Sequence, residues 1–140
     1  MPRKETNMEK VQWKGGTLLA PVPAVLVSCG TVEKPAAITI AWTGIINSDP
    51  AKTYISARPS RNSYSIIKES GEFVINLTPA ALVKEADYCG IYTGKKVDKF
   101  AKCKLTKETA NEVAAPIIAE CPVALECKVT DIVPLGTHDM

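Results

Sequence analysis

The residues equipped for chemistry are few, and most crowd into one stretch. Between positions 39 and 63 stand Thr39, Thr43, Asn47, Ser48, Ser56, Arg58, Ser60, Arg61 and Ser63. Short hydroxyl and amide side chains mixed with guanidinium groups make a donor set for an anion that carries many acceptor oxygens. A phosphate suits that set better than a carboxylate, above all where a helix begins and its free N–H groups add partial positive charge. The same residue types also serve as turn and capping groups beside solvated arginines. Spacing alone leaves both readings open.

Elsewhere the inventory is thin. There is one histidine, His138, so a centre built from two or three histidines cannot form within the chain. The five cysteines, Cys29, Cys89, Cys103, Cys121 and Cys127, are odd in number and contain no CxxC pair. That disfavours a disulfide scaffold and a structural zinc, and predicts reduced, mostly buried thiols with no metal site. No GxGxxG, GxxxxGK[ST], HExxH or GxSxG occurs, so dinucleotide-fold, P-loop, zincin and hydrolase readings have no support. Nothing places a cysteine beside His138 as a nucleophile. Either the chemistry needs few titratable groups, or a cofactor carries it.

Composition bounds the scaffold. The chain has 140 residues, 46% hydrophobic and 23% charged, which fits one soluble domain. Seventeen basic against fifteen acidic residues leave +2, too little to predict a nucleic-acid partner. No apolar run approaches the roughly 20 residues that span a bilayer. The opening MPRKETNMEKVQWK is charged throughout and lacks the apolar core of a signal peptide. No membrane association and a cytoplasmic location are the expectations.

The elements that must position the cluster can be read from periodicity. Residues 1–15 read as a mobile arm before Gly15-Gly16, and residues 16–140 as one domain. Ala24 to Cys29 is a short apolar run between Pro23 and Gly30, the pattern of a buried strand. Residues 37–43 predict a second strand. Ile38, Ile40 and Trp42 share one parity; Ala37, Thr39, Ala41 and Thr43 share the other. The small face either admits something flat, with hydroxyls in reach, or packs on a helix. Asn47-Ser48-Asp49-Pro50 reads as a turn, and Thr53–Arg58 as a strand. A short helix capped by Ser60 and closed by Gly71 follows, then a strand through Phe73, Ile75 and Leu77. Pro79 opens a second helix, residues 89–96 form a loop, and 97–102 a helical turn. After an irregular 103–116, alternation over 123–130 predicts a long half-exposed strand. The natural architecture is a mainly antiparallel barrel with short helices.

The run ITIAWTGIINSDPAKTYISARPSRNSYSIIKESGEFVINL, residues 38–77, resembles the flavin reductase-like, FMN-binding split-barrel family, in particular its flavoredoxin-type branch. Ala86-Asp87-Tyr88-Cys89-Gly90, Val97-Asp98-Lys99-Phe100 and Gly136-Thr137-His138 agree in order and spacing. The resemblance implies a mainly β split barrel with short helices and a homodimer holding FMN at the subunit interface. Carried onto this sequence, ring contacts fall on Thr39, Ala41, Trp42 and Thr43. Ribityl and phosphate contacts fall on Asn47, Ser48, Arg58, Ser60, Arg61 and Ser63. Lys99 and His138 match positions near the isoalloxazine and are the catalytic candidates, stabilising negative charge on the reduced ring. The implied activity is NAD(P)H-dependent reduction of a flavin, a ferric complex or another electron acceptor. A non-enzymatic FMN electron carrier and a cofactor-free remnant are the alternatives. The family pattern continues past Gly-x-His, whereas this sequence stops at Met140. The expectation is a C-terminally short barrel with an unpaired edge, hence an interlocked dimer or weak FMN retention.

Overall fold

The strand Val25–Gly30 (β1) lies in the interior of the main sheet, and its residues explain why. Val25 to Cys29 are all buried, as in a strand covered on both faces. A computed structural model describes residues 9–140. The expected arm therefore falls partly outside the described residues; positions 9–15 are exposed and carry no helix or strand.

Pro35–Ile40 (β2) pairs antiparallel along one edge of β1. Thr43–Ser48 (β3) and Ala51–Ile55 (β4) form a separate hairpin. The helix Asn62–Ser70 (α1) ends at Gly71, which takes the left-handed conformation expected of a residue just past a helix. Glu72–Asn76 (β5) then pairs with the other edge of β1. A single 3₁₀ turn, Ala80–Leu82, leads into the helix Val83–Ile91 (α2). Lys99–Cys103 (α3) is one short helix capped by the Asp98 side chain. Lys107–Glu108 (β6) and Ile117–Ile118 (β7) make a two-residue ladder, and Ala124–Lys128 (β8) pairs with β5. The main sheet thus runs β2-β1-β5-β8.

Strand alternation sends side chains to two cores. Val25, Val27, Cys29, Ile38, Phe73 and Ile75 pack with Ile67 of α1 on one face. Leu26 and Ala37 pack with Cys89 of α2, Phe100 of α3, Leu105 and Ile118 on the other. The chain is mainly β with short helices, as the sequence predicts, but its sheets do not close into a barrel.

Several boundaries differ for local reasons. The single strand expected over 37–43 breaks after Ile40, and Trp42 is 42% exposed rather than in line with buried Ile38 and Ile40. The backbone leaves the sheet there to enter the hairpin, so parity no longer governs residue 42. The strand expected over 53–58 ends at Ile55; the Ser56 N–H donates to the Trp42 carbonyl, and Ala57 forms an isolated bridge with Asp139. Residues 89–91 complete α2 instead of opening a loop, and the long strand over 123–130 spans only 124–128. Ser60 does not cap α1: Arg61 holds the N-cap position, with no side-chain cap bond.

One glycine is indispensable to the β1–β2 turn. Gly30 has φ +83°, and a Cβ there would stand 2.3 Å from the Lys34 carbonyl oxygen. Gly30→Ala is expected to destabilise the fold by about 1–3 kcal/mol through the backbone conformation alone, with the clash adding to it. Urea denaturation checks this; an unchanged midpoint would contradict it.

Candidate functional site

The turn Arg58–Arg61 leads directly into the start of α1. The Arg61 N–H donates to the Arg58 carbonyl, closing a turn of Pro59 and Ser60. Arg58 and Ser60 are exposed, and Ser63 in the first turn of α1 is buried. Because no side chain caps α1, its first backbone N–H groups remain available to an anion.

Beside this turn lies an aromatic platform. Trp42 and His138 have ring centroids 4.7 Å apart at an interplanar angle of 44°. His138 sits at the tip of a C-terminal turn in which Val133 and Met140 exchange backbone bonds and Gly136 takes φ +122°. Two links dock that turn onto the body: Ala57 and Asp139 exchange backbone bonds, and the Tyr64 hydroxyl donates to the Asp139 carboxylate. The Ser56 N–H donates to the Trp42 carbonyl at 2.8 Å. These bonds hold the backbone at Trp42, Ser56, Ala57 and Asp139 together, with Arg58 next in the chain after Ala57 and His138 just before Asp139.

Other candidates are placed differently. The Thr39 hydroxyl donates to the Ala86 carbonyl, and Gly90 of α2 approaches its Cβ; the small face of β2 packs on a helix. Thr43 donates to the Tyr54 carbonyl at 2.6 Å, and Ala41 is half-buried where β2 ends. Asn47 and Ser48 are exposed at the far end of the hairpin, where the Asn47 amide donates to the Pro50 carbonyl. At about 3.3 Å per residue that end is roughly 15 Å from Trp42, so within one chain these residues do not join the Arg58 turn.

Lys99 is buried, and its ammonium donates to the Cys89 carbonyl at 2.7 Å. The Arg61 guanidinium donates to the neighbouring Gly90 carbonyl at 3.2 Å. Both cations thus sit on the C-terminal turn of α2, where exposed carbonyls favour positive charge. Lys99 lies toward the Ala37 end of β2, across a cavity of about 480 Å³ that Lys34, Asn62 and Lys96 also line. His138 lies beyond the other end of β2, so the two catalytic candidates do not meet within one chain. A larger cavity, about 520 Å³, opens under the hairpin against Tyr54, Ile55, Ile67, Phe73 and Val129.

Sequence reasoning missed the buried polar hub behind the site. The Asn76 amide donates to the Leu26 carbonyl at 3.0 Å and the Ser28 hydroxyl at 2.9 Å, and its oxygen accepts from the Ile118 N–H at 3.0 Å. An asparagine at the end of an apolar strand was the one signal available for it.

All five cysteines are free. Burial pushes Cys29 up to about 11, Cys89 up to about 12 and Cys121 up to about 11, from an ordinary 9.0. These thiols keep their protons in the folded chain after the unfolded chain has lost them. Their stabilising effect is complete below about pH 9 and lost as pH rises through about 11. Burial lowers Lys99 from 10.5 and opposes this trend, but one ammonium faces three thiols. The urea midpoint is expected to fall between about pH 8 and about pH 10; a rising midpoint would contradict the assignment.

Residues 18–140 match the family described as flavin reductase like domain. The chain belongs to the flavin reductase-like family. An uncharacterized protein of Archaeoglobus fulgidus is 34% identical over 122 residues, covering 87% of this chain and 68% of its own length. The flavoredoxin of Desulfovibrio vulgaris (Miyazaki F) superposes with a TM-score of 0.85 at 34% identity, over 94% of this chain and 71% of that one. The flavoredoxin of Methanosarcina acetivorans gives the same TM-score at 27% identity, over 94% of this chain and 70% of that one. These flavin reductase-like neighbours have the split-barrel fold expected from the sequence, and the family gives the chain a flavin-related redox function. Among the described residues no three His, Cys, Asp or Glu side chains gather to hold a metal ion, and no helix is long and apolar enough to cross a membrane.

Proposed function

We propose that this chain binds FMN and acts as an NAD(P)H-dependent oxidoreductase passing electrons to a small acceptor or a partner redox protein. The observation that carries the reading is the uncapped start of α1 flanked by Arg58 and Arg61, next to the Trp42–His138 platform. An anion site beside an exposed aromatic surface fits a phosphate-bearing ring cofactor. The solved flavoredoxins and the FMN-binding protein of Thermus thermophilus among its structural neighbours support the choice of FMN.

When bound, FMN supplies the redox chemistry. The chain's own residues bind and orient it. Arg58, Ser60 and the first N–H groups of α1 hold the phosphate, with Ser63 beneath them. Trp42 and the indented edge at Ala41 and Thr43 bound the ring, and His138 offers a proton or positive charge at its rim. Lys99 and Arg61 fix the α2 turn, and through it the entry of α1. Asn47 and Ser48 reach the ribityl and phosphate from a second copy, which makes the working unit a homodimer. Exposed Trp42, Ile45 and Ile46 supply apolar surface for that contact. A cytoplasmic setting supplies the nicotinamide and keeps the thiols reduced.

Stopped-flow mixing of FMN-loaded protein with NADH or NADPH tests the activity. Bleaching of the flavin band near about 450 nm within seconds is expected. Bleaching only by a reduced redox protein would make the chain an electron carrier instead. His138→Ala is expected to slow bleaching with little loss of FMN affinity; an unchanged rate would remove His138 from the mechanism.

A further inference from the structure

Two of the five cysteines are in contact. Cys89 near the end of α2 and Cys103 at the end of α3 place their sulfur atoms 3.9 Å apart. The separation is that of touching thiols, longer than the about 2.05 Å of a disulfide. The helices are joined by residues 92–98, and each sulfur lies on the side facing the other helix. A disulfide needs the two sulfur atoms to approach by about 2 Å. Cys89 is fully buried and Cys103 half-buried, so an oxidant reaches Cys103 first.

We propose that Cys89 and Cys103 form an oxidisable dithiol, a modification site that closes a reversible disulfide between α2 and α3. The oxidant is a hydroperoxide. The Cys103 thiol loses its proton and the thiolate attacks the terminal peroxide oxygen; the O–O bond breaks, giving a Cys103 sulfenic acid and, for hydrogen peroxide, a hydroxide that takes up that proton as one water. The Cys89 sulfur then attacks the sulfenic sulfur, the S–O bond breaks and the released hydroxide takes a proton to leave as a second water. Two thiols are oxidised by two electrons and one peroxide is reduced to two waters. A small thiol reductant reverses the reaction by exchange. The order follows from access: Cys89 has no open path to solvent and acts as the resolving thiol. Burial raises the Cys103 thiol above its ordinary value, and the Cys89 contact, Lys99 and Lys102 act the other way, so the reaction quickens as pH rises. The bond would form on the turn whose carbonyls hold Lys99 and Arg61, so it locks the anchor of α1's entry.

The test is peptide mapping of the whole protein after brief treatment with equimolar hydrogen peroxide and alkylation of the remaining thiols. Trypsin cleaves after Lys95 and Lys102, so residues 85–95 and residues 103–104 separate unless a disulfide joins them. The expected result is that joined pair, a loss of two of the five titratable thiols, and recovery of all five after dithiothreitol. Cys89→Ser is expected to abolish the joined peptide and leave Cys103 trapped by dimedone as its sulfenic acid. Cys29→Ser, Cys121→Ser and Cys127→Ser are expected to leave the joined pair intact. Five titratable thiols after peroxide with no dimedone adduct would overturn the proposal, as would a disulfide mapped to any other pair. None of these readouts depends on bound flavin.

Discussion

Asn76→Ala is expected to lower the free energy of unfolding by about 3–5 kcal/mol. The native amide satisfies three groups in the sheet interior: the Leu26 carbonyl, the Ser28 hydroxyl and the Ile118 N–H. Alanine leaves the Ile118 N–H without its acceptor and two oxygens short of a donor, at about 1–3 kcal/mol for each buried group left unpaired. A small cavity adds to the loss. Ser28→Ala is expected to cost less, because Ser28 gives up its bond to the Pro116 carbonyl but leaves most of the hub in place. Urea denaturation followed by tryptophan fluorescence checks both. A loss under about 1 kcal/mol for Asn76→Ala would mean the hub is not a structural centre.

Arg58→Glu is expected to weaken FMN binding about 100-fold, with no measurable change in stability. Its guanidinium is exposed, so reversing its charge stays within the range of ordinary surface substitutions, about 0.5 kcal/mol. At the open end of α1 the same change removes a charge-assisted bond worth about 1.5–3 kcal/mol and places a repelling carboxylate beside the phosphate. Riboflavin lacks the phosphate, so its weaker binding is expected to be unaffected. Equal losses for FMN and riboflavin, measured by quenching of flavin fluorescence, would place Arg58 near the ring rather than the phosphate. No loss for FMN would remove Arg58 from the site.

Local rules carried the fold a long way. The apolar run at 24–29 falls in β1, Val25–Gly30, a strand covered on both faces. Gly71 ends α1 where glycine should, and Ile75 and Phe73 mark β5. What remained hidden depended on partners distant in sequence. Trp42 continues the parity of Ile38 and Ile40, yet the chain turns out of the sheet before it, and only the docking of Ser56 and the 133–140 turn shows why. Asn76 looks like an ordinary strand end until Ile118, 42 residues later, meets it. For the site, the residue types between 58 and 63 signalled an anion, but Ser60 as a cap was the wrong local choice. The backbone puts Arg61 at that position, and leaving the helix uncapped is what makes it open to a ligand. Lys99 and His138 share a resemblance-based role, but their separation along β2 could be known only from the packing of α3 and the C-terminal turn.

Incubation of the purified protein with FMN, gel filtration to remove free cofactor, and measurement of visible spectrum and solution mass on the same peak report flavin retention and chain association together. Binding of FMN by a homodimer predicts a yellow peak with one FMN per chain and a mass twice the 15.1 kDa of a single chain. A colourless peak at the mass of one chain would contradict it.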